Sequence, residues 1–353
     1  MELALYHPAH GYYLGDTVRS AREGDFLTAA ELHPIFGRVV AGQLAEMWDA
    51  LGQPRPFTLR EYGAGPGTLG LAIVETLAAE RRDLLDAFRY EPIEVNPGHR
   101  RRLDDGFRTA GFGGVLAGSA EVRIVGCVIA NEFVDAFPVH RVRGTAGRGL
   151  EESHVVWRDG GFAEEWAAPS TPELAAYLER VGVTLAPGQV GEIDLAAREW
   201  LDEVSAALER GYLLVIDYGH LAEELYSTRR FAGTLLGYRG HAVSDDPLVS
   251  VGRQDLTAHV DFTTLTRWAS ERRLDLFART TQARFLVDGG LEARLNEERE
   301  RPELTAEEYL ALRASIGRLL DPRALGAFGV LLFGKDAPRE SLPSGFLASV
   351  AAA

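Results

Sequence analysis

The segment Glu61-Tyr-Gly-Ala-Gly-Pro-Gly-Thr-Leu-Gly70 contains glycines that fit two different loop patterns. Read from Gly63, it is G-x-G-x-G, with an acid two residues before the first glycine. Read from Gly65, it is G-x-G-x-x-G, the fingerprint of dinucleotide-binding loops. The first pattern is typical of loops that bind S-adenosylmethionine (SAM), and the second of loops that bind NAD or FAD. The loop alone therefore leaves the cofactor open.

The segments around this loop alternate between strand and helix patterns. Residues 57–62 predict a short strand that runs into the loop, and residues 68–81 predict the helix that follows it. Residues 89–95 predict a second strand, and the apolar runs at 122–130 and 211–217 predict two buried ones. Strands that alternate with helices indicate an α/β fold with a mostly parallel sheet and helices on both faces.

Later segments add an insertion and a helical region. Residues 141–170 predict a hairpin that turns at Asp159-Gly-Gly161. Helices are predicted at 172–184, 194–210, 263–275 and 289–325, a late strand at 327–333, and a mobile tail from Asp336.

Composition narrows the function classes. The 353 residues carry a formal net charge of −15, which disfavours binding to nucleic acid and would attract a cationic substrate. The single cysteine, Cys127, excludes an internal disulfide and a zinc cluster built from cysteines, and no metal site is predicted. No apolar run reaches the length of a membrane span, and the first residues lack a targeting pattern. We therefore predict a cytoplasmic protein without a membrane span.

Two acids bear on the choice of cofactor. Glu94 follows the second predicted strand, where a carboxylate can accept hydrogen bonds from the ribose hydroxyls of an adenosine. This suits SAM and NAD equally. Glu61 favours SAM, because dinucleotide loops are usually entered through apolar residues and SAM carries ammonium and sulfonium groups that prefer acids.

A second polar group follows the next buried strands. Asn131, Glu132 and Asp135 come directly after the strand at 122–130, and Asp217 ends the strand at 211–217. Strand ends of a parallel sheet meet at one edge, so these acids would form a pocket for a cation. A pocket of carboxylates suits the five donors of an arginine guanidinium. An ordinary solvated loop is the alternative.

These residues belong to an ordered series of motifs that resembles the MidA family of SAM-dependent methyltransferases. The family's mitochondrial member is an arginine methyltransferase needed for assembly of respiratory complex I. Asn96 and Phe137 depart from the family pattern, which usually has Ser and Leu there. The motifs are Ala4-Leu-Tyr-His-Pro8, Gly11-Tyr-Tyr13, Gly24-Asp-Phe26, Thr28, Glu31, Phe36-Gly37, the glycine loop, Asn131-Glu-Phe133, Asp135, Pro138, Asp217-Tyr-Gly219, Gly233-Thr234, His241 and Asp255-x-Thr-Ala-His-Val-Asp-Phe262.

The resemblance implies a class I methyltransferase core with a Rossmann-like sheet, an N-terminal segment that covers the cofactor, and an inserted and C-terminal α+β substrate lobe. The implied parts are 1–55 (cap segment), 56–140 (SAM-binding half), 141–205 (inserted hairpin and helices), 206–335 (second half of the core with substrate-facing insertions) and 336–353 (tail). The implied cofactor-binding residues are Tyr13, Phe26, Thr28, Glu61, Gly63, Gly65, Gly67, Glu94 and Asn131.

The implied reaction is in-line methyl transfer to an arginine of a protein substrate, such as a complex I subunit. Glu132, and then Asp135, would localise the charge of the guanidinium. His259 and Asp261 are candidates for proton removal or substrate orientation, although His259 fits an ordinary loop histidine equally well. Two alternatives stay open: an NAD- or FAD-dependent oxidoreductase, and a non-catalytic SAM-binding assembly factor. The oligomeric state is not indicated.

Overall fold

The computed structural model of the chain describes residues 1–14, 28–118, 123–147, 149–240 and 242–348. The strands are β1 (Phe57–Tyr62), β2 (Phe88–Ile93), β3 (Ile124–Asn131), β4 (Val139–Gly144), β5 (Leu150–Arg158), β6 (Gly161–Ala167), β7 (Val190–Asp194), β8 (Leu208–Asp217), β9 (Gly219–His220), β10 (Leu236–Arg239), β11 (Ala242–Ser244), β12 (Asp255–Thr257), β13 (Val260–Asp261), β14 (Asp275–Thr281) and β15 (Gly329–Lys335). The helices are α1 (Glu2–Tyr6), α2 (Ala29–Leu32), α3 (Ile35–Ala50), α4 (Thr68–Glu80), α5 (Arg82–Leu85), α6 (Pro97–Thr109), α7 (Glu173–Val181), α8 (Ala196–Ala207), α9 (Ala222–Leu225), α10 (Phe262–Ser270), α11 (Gln282–Asp288), α12 (Leu291–Arg299) and α13 (Ala306–Leu319).

A six-stranded sheet with the order β14-β15-β8-β3-β1-β2 forms the centre of the fold. Strands β2, β1, β3 and β8 are parallel, whereas β15 is antiparallel to both of its neighbours. The predicted mostly parallel sheet is confirmed. In the register, Tyr62 lies opposite Ala130, and Asn131 lies opposite Ile216. The ends of β1, β3 and β8 therefore meet at one edge, which brings the glycine loop beside Asn131 and Glu132.

Each face of this sheet is covered by helices. Side chains alternate along a strand, so Leu214 and Ile216 of β8 join one core cluster, while Leu213 and Val215 join the other. The first cluster includes buried residues of α3 and α4, and the second includes those of α7, α8 and α10. Helices on both faces are thus confirmed. Cys127 is fully buried in the first cluster, as a small apolar residue would be.

The inserted region forms its own four-stranded antiparallel sheet with the order β6-β5-β4-β7. The predicted hairpin is confirmed, because Arg158 pairs with Gly161 on either side of the turn. Strand β7 was not predicted, since it is only five residues long and lies between two helical patterns. Strand β14 was also missed, because the predicted helix at 263–275 ends early, at Ser270, and an edge strand follows.

The C-terminal segment differs from the predicted mobile tail at 336–353. Phe346 is 1% exposed and packs against Phe285 with ring centroids 5.3 Å apart. The Gly345 amide donates a 2.7 Å hydrogen bond to Gln43 Oε1. These contacts place the described part of the tail on the core. Positions 349–353 lie outside the described residues, as do Phe26 and His241. No helix in the described ranges has the length and apolar character to cross a membrane.

Candidate active site

A cavity of about 610 Å³ opens at the edge where the parallel strands end. Its wall combines the glycine loop, the turns after β2 and β3, the N-terminal segment, α8 and β12. Nine of the thirteen predicted site residues line it, namely Tyr13, Thr28, Glu61, Gly63, Gly65, Glu94, Asn131, Glu132 and Asp135. Gly67, His259 and Asp261 do not, and Phe26 lies outside the described residues.

The glycine loop presents its backbone to this cavity at Gly65. Both Gly65 and Gly67 have left-handed φ angles, 54° and 83°. A Cβ on Gly65 would meet nothing within 4 Å, whereas one on Gly67 would lie 2.6 Å from Leu103. Gly65 therefore leaves space for a ligand to approach the main chain. Gly67 instead packs against α6 and precedes α4, which corrects its assignment as a ligand-facing residue.

Glu94 joins the glycine loop to the turn after β2. Its Oε2 accepts a 2.8 Å hydrogen bond from the Gly65 amide, and its Oε1 accepts one of 2.6 Å from the Asn96 amide. The Asn96 side chain caps α6 by accepting from Gly98 N, and its Nδ2 donates to the Tyr13 carbonyl at 2.6 Å. One hydrogen-bonded chain thus ties the N-terminal segment to the loop.

Glu61 places a buried carboxyl group at the base of the cavity. The Tyr90 hydroxyl donates a 2.6 Å hydrogen bond to Glu61 Oε2. Burial raises the pKa of Glu61 to about 7, and the hydrogen bond from Tyr90 opposes that rise. A cationic group beside Glu61 would lower this pKa again and be held by the carboxylate.

Glu132 and Asn131 leave two acceptor atoms without a donor. Glu132 Oε1 accepts from the Ala29 amide at 2.8 Å and from Asn131 Nδ2 at 3.3 Å. Glu132 Oε2 and Asn131 Oδ1 are buried and have no hydrogen-bond partner among the described residues. An unsatisfied buried acceptor is costly, so these two atoms mark a place for a donor from a ligand. Burial raises the pKa of Glu132 to about 8.

Asp217 supports the turn that carries Glu132. Its Oδ2 accepts from the amides of Val134 at 2.9 Å, Phe133 at 3.2 Å and Asp135 at 3.3 Å. Asp217 does not line the cavity, so the predicted pocket of strand-end acids lacks this member. Its carboxyl group instead holds the backbone from which Glu132 projects.

Asp135 is the second acid of the turn and does line the cavity. The Tyr218 hydroxyl donates a hydrogen bond to Asp135 Oδ2. Burial, and then the neighbouring Asp217, raise the pKa of Asp135 well above its ordinary value. A carboxyl group in this state is neutral until a cation approaches it.

Asp261 caps a helix and lies outside the cavity. Its Oδ1 accepts from the Thr263 amide at 2.9 Å and the Thr264 amide at 3.2 Å, which caps α10. Its Oδ2 accepts from the hydroxyls of Thr264 at 2.7 Å and Tyr177 at 3.0 Å. These four bonds give Asp261 a structural role, which corrects its assignment as a catalytic candidate.

His259 also lies behind the cavity wall. Its ring packs edge-on against Tyr218, a lining residue, with centroids 5.3 Å apart. Burial, and then His220, lower the pKa of His259 to about 4, so the imidazole is neutral near pH 7. A group with that pKa that does not line the cavity is a poor acceptor for a substrate proton, so the structure does not support proton removal by His259.

Sequence patterns missed one whole wall of the cavity. Four aromatic rings, those of Tyr62, Phe133, Phe137 and Trp200, contact one another with centroids 5.0 to 5.9 Å apart. Helix α8 adds Glu199 and Glu203 to the lining. The sequence does place Glu199, Trp200 and Glu203 at helical spacing within the predicted helix 194–210. No known motif identifies these three residues as part of a site.

The charge of the lining indicates which cofactor fits. Eight carboxyl groups and no lysine or arginine line the cavity in the part of the chain that the structure describes. Such a wall would repel the pyrophosphate of NAD or FAD, whereas SAM carries positive ammonium and sulfonium groups. The residues present therefore fit SAM. The acids are Glu31, Glu61, Glu94, Glu132, Asp135, Glu199, Glu203 and Asp255.

Comparison with known families agrees with this chemistry. Residues 39–279 match the model of a family described as "Putative S-adenosyl-L-methionine-dependent methyltransferase". The chain belongs to this family. The resemblance to MidA proteins is confirmed, and the chain is a SAM-dependent methyltransferase with a Rossmann-like fold. The alternative of a NAD- or FAD-dependent oxidoreductase is not supported.

Individual relatives cover most of the chain. The mitochondrial protein arginine methyltransferase NDUFAF7 homolog of Drosophila melanogaster is 29% identical, over 92% of this chain and 78% of its own length. The Danio rerio protein arginine methyltransferase NDUFAF7 is 25% identical, over 99% and 86% respectively. A Burkholderia thailandensis methyltransferase-like protein, solved with S-adenosyl-homocysteine bound, is 30% identical, with a TM-score of 0.87 over 99% of this chain and 89% of its own.

The same comparison contradicts the predicted cytoplasmic location. The NDUFAF7 relatives of fly, fish and human are all named as mitochondrial proteins. The prediction rested on the N-terminal residues, which lack a targeting pattern, and this absence was not sufficient to assign a compartment.

Proposed function

We propose that this methyltransferase modifies an arginine side chain of a protein substrate. The observation that carries the proposal is the pair of buried acceptors, Glu132 Oε2 and Asn131 Oδ1, which lack donors among the described residues. A guanidinium presents five donors in one plane and so suits two neighbouring acceptors. The names of the relatives, which are protein arginine methyltransferases, support the same substrate.

The cofactor would lie along the glycine loop. Gly65 leaves space for its approach. Glu94, which accepts from the Gly65 amide, would also accept hydrogen bonds from the ribose hydroxyls. Glu61 lines the same cavity, and its carboxyl group suits the positive groups of SAM. Asn131, which was predicted to bind the cofactor, is assigned to the guanidinium in this proposal. Tyr13 and Thr28 would cover the bound cofactor from the N-terminal side.

The chemistry that SAM supplies is an electrophilic methyl group on a sulfonium sulfur. The contribution of the chain is to hold an arginine nitrogen in line with that group and to exclude water. Glu132 Oε2 and Asn131 Oδ1 would each accept from one nitrogen of the guanidinium. The Glu132 carboxylate would then draw the positive charge away from the third nitrogen, which becomes the nucleophile. Methylation leaves a surplus proton on that nitrogen, and the Glu132 carboxylate would accept it.

We also propose that the chain is organised into the segments predicted from the sequence. Residues 1–55 would cover the cofactor, and the insertions at 141–205 and within 206–335 would face the substrate. Tyr13 supports this division. Its carbonyl accepts from Asn96 in the cofactor half, while its hydroxyl donates a 2.7 Å hydrogen bond to Asp255 in the later insertion.

A subunit of respiratory complex I is the first substrate to test. The family resemblance supports this choice, because the mitochondrial member of the family is needed for assembly of that complex. Incubation of a cell lysate with labelled SAM, followed by mass spectrometry, would name the methylated protein and the modified atom. A label on another residue type would contradict the arginine proposal.

Substitution of Glu132 tests the site itself. Glu132→Ala should abolish methyl transfer, because the guanidinium loses its main acceptor, while affinity for SAM stays near that of the wild type. Glu94→Ala is the matched variant, and it should weaken SAM binding itself. Calorimetry and a transfer assay separate the two effects. Wild-type turnover by Glu132→Ala would refute the assignment, and SAM binding without turnover by the wild type would favour a non-catalytic assembly factor.

A further inference from the structure

Helix α8 turns one stripe of side chains toward the cavity. Ala196, Glu199, Trp200 and Glu203 all line it, and their spacing of three, four and seven residues places them on one face of the helix. The small side chain of Ala196 leaves space at the start of the stripe. Glu199 and Glu203 lie one turn apart and are exposed, so they stand where the cavity meets solvent.

The stripe is fixed against an aromatic wall. Trp200 is 6% exposed, and its ring lies against Tyr62, Phe133 and Phe137. The Tyr62 hydroxyl donates a 2.8 Å hydrogen bond to Glu203 Oε1, which orients that carboxylate. The indole Nε1 of Trp200 is buried and has no acceptor in the described part of the chain. The wall therefore contains one N–H donor without an acceptor among the described residues, that of Trp200, close in sequence to the carboxylates of Glu199 and Glu203.

We propose that the α8 face docks a basic peptide segment that flanks the target arginine. The inference rests on the proposed function and extends it to the neighbouring residues of the substrate. The carboxylates of Glu199 and Glu203 would pair with lysine or arginine side chains on that segment. The aromatic rings would pack against their aliphatic stems, and Trp200 Nε1 would donate to a peptide carbonyl.

Charge complementarity selects this occupant over an apolar helix or an acidic partner. The lining of the cavity contains no lysine or arginine in the described ranges, and the whole chain carries a formal charge of −15. An apolar segment would leave both glutamates unpaired at its edge, and an acidic one would be repelled. A basic segment satisfies the carboxylates and lets the central arginine reach Glu132.

A set of four nine-residue peptides tests this surface. The central residue is arginine or alanine, and the residues on both sides of it are lysine or glutamine. Binding is measured by calorimetry with S-adenosyl-homocysteine present, so the result does not depend on turnover. The α8 surface predicts that lysine flanks tighten binding for either central residue. The proposed function predicts separately that arginine binds more tightly than alanine within each pair, so the two ideas fail on different comparisons.

The double variant Glu199→Gln/Glu203→Gln should reduce the advantage of lysine flanks by about three- to tenfold, the range expected for two partly screened ion pairs. Glutamine at 203 still accepts from Tyr62, which preserves the wall. The matched control is Glu179→Gln/Glu307→Gln, which removes two exposed carboxylates outside the cavity and should retain the advantage. The proposal would be overturned if the wild type bound lysine-flanked and glutamine-flanked peptides equally. It would also be overturned if both double variants lost the preference for lysine flanks to the same extent.

Discussion

Glu132 combines an unusual backbone with an unusual side-chain environment. Its φ of 51° lies in the left-handed region, which costs a non-glycine residue about 1–2 kcal/mol. The surrounding structure holds it there, because the Glu132 amide donates to the Ile216 carbonyl at 2.8 Å and Asp217 accepts from the next three amides. A strained residue with a buried, unpaired carboxyl oxygen is the kind of feature found at functional sites.

The activity should depend on pH through Glu132. Burial raises the pKa of this carboxyl group to about 8, so below that pH most of the enzyme carries neutral Glu132. A guanidinium needs the carboxylate form. The value of kcat/KM should therefore rise with pH, by about tenfold per unit below the pKa, and level off above pH 8. A profile measured from pH 6 to 9 with saturating SAM checks this.

Glu31→Gln provides a control for that profile. Glu31 is one of the charges that raise the pKa of Glu132, although it ranks below burial and Asp135. Its removal should shift the rise in kcat/KM toward lower pH and leave the plateau in place. A flat profile between pH 6 and 8, or a midpoint that does not respond to this substitution, would contradict the role given to Glu132.

Asp261 should matter for stability and not for chemistry. Asp261→Ala removes the cap of α10 and the acceptor for Tyr177 and Thr264, at a cost of about 1–3 kcal/mol in the free energy of unfolding. Below the melting temperature kcat should be unchanged. Denaturant titration and a transfer assay on the same sample test both parts. A large loss of kcat in a folded variant would restore the catalytic interpretation.

The packing of α4 on β2 depends on a glycine in the helix. A Cβ on Gly70 would lie 2.3 Å from the ring of Tyr90, whose hydroxyl also holds Glu61. Gly70→Ala should therefore displace Tyr90 and destabilise the protein by about 1–3 kcal/mol. Gly106→Ala in α6 is the matched control, because nothing lies within 4 Å of the added Cβ, and alanine should stabilise that helix by up to about 1 kcal/mol.

Both changes are measured as free energies of unfolding in denaturant. The two variants should change the free energy of unfolding in opposite directions, although helix propensity favours alanine equally at both positions. Equal stabilisation by the two variants would show that α4 does not press on Tyr90. Gly70→Ala should also disturb Glu61, so its affinity for SAM is expected to fall while that of Gly106→Ala is retained.

The sequence predicted those elements whose patterns are local. The strand before the glycine loop and the hairpin turn at Asp159-Gly160 follow from apolar runs and turn residues, which act over a few positions. Strand β14 was missed because its pairing with β15 spans some 50 residues of chain, and tertiary contacts outweighed its weak pattern.

The same distinction applies to the site. Glycines and strand-end acids could be found from motifs, because sheet topology brings strand ends together. The wall formed by Trp200 and Glu203 depends on how α8 packs against Phe133, which no spacing reveals. Asp217 and Asp261 were predicted to face the cavity, but both accept hydrogen bonds from backbone amides. The sequence does not distinguish these two roles for an acid at a strand end or a helix start.

The cavity gathers eight carboxyl groups, and no lysine or arginine lies among the described residues that line it. Burial raises the pKa of Glu61 to about 7 and that of Glu132 to about 8, so these carboxyl groups are partly neutral without a ligand. A cationic ligand allows these carboxyl groups to ionise and forms ion pairs with them. Only the folded state makes this interaction, because the unfolded chain has no cavity. Binding should therefore couple to the stability of the entire fold.

Ligand-linked stability tests this coupling and the identity of the cofactor together. A ligand that binds only the folded chain at 100 times its Kd stabilises it by about 2.7 kcal/mol, and SAM should raise the melting temperature accordingly. NADH at the same concentration should give no shift, because its pyrophosphate meets an acidic wall. Glu94→Ala should lose most of the SAM shift, while Glu179→Gln, outside the cavity, should keep it. A shift with NADH that matches or exceeds the shift with SAM would overturn the assignment of the glycine loop.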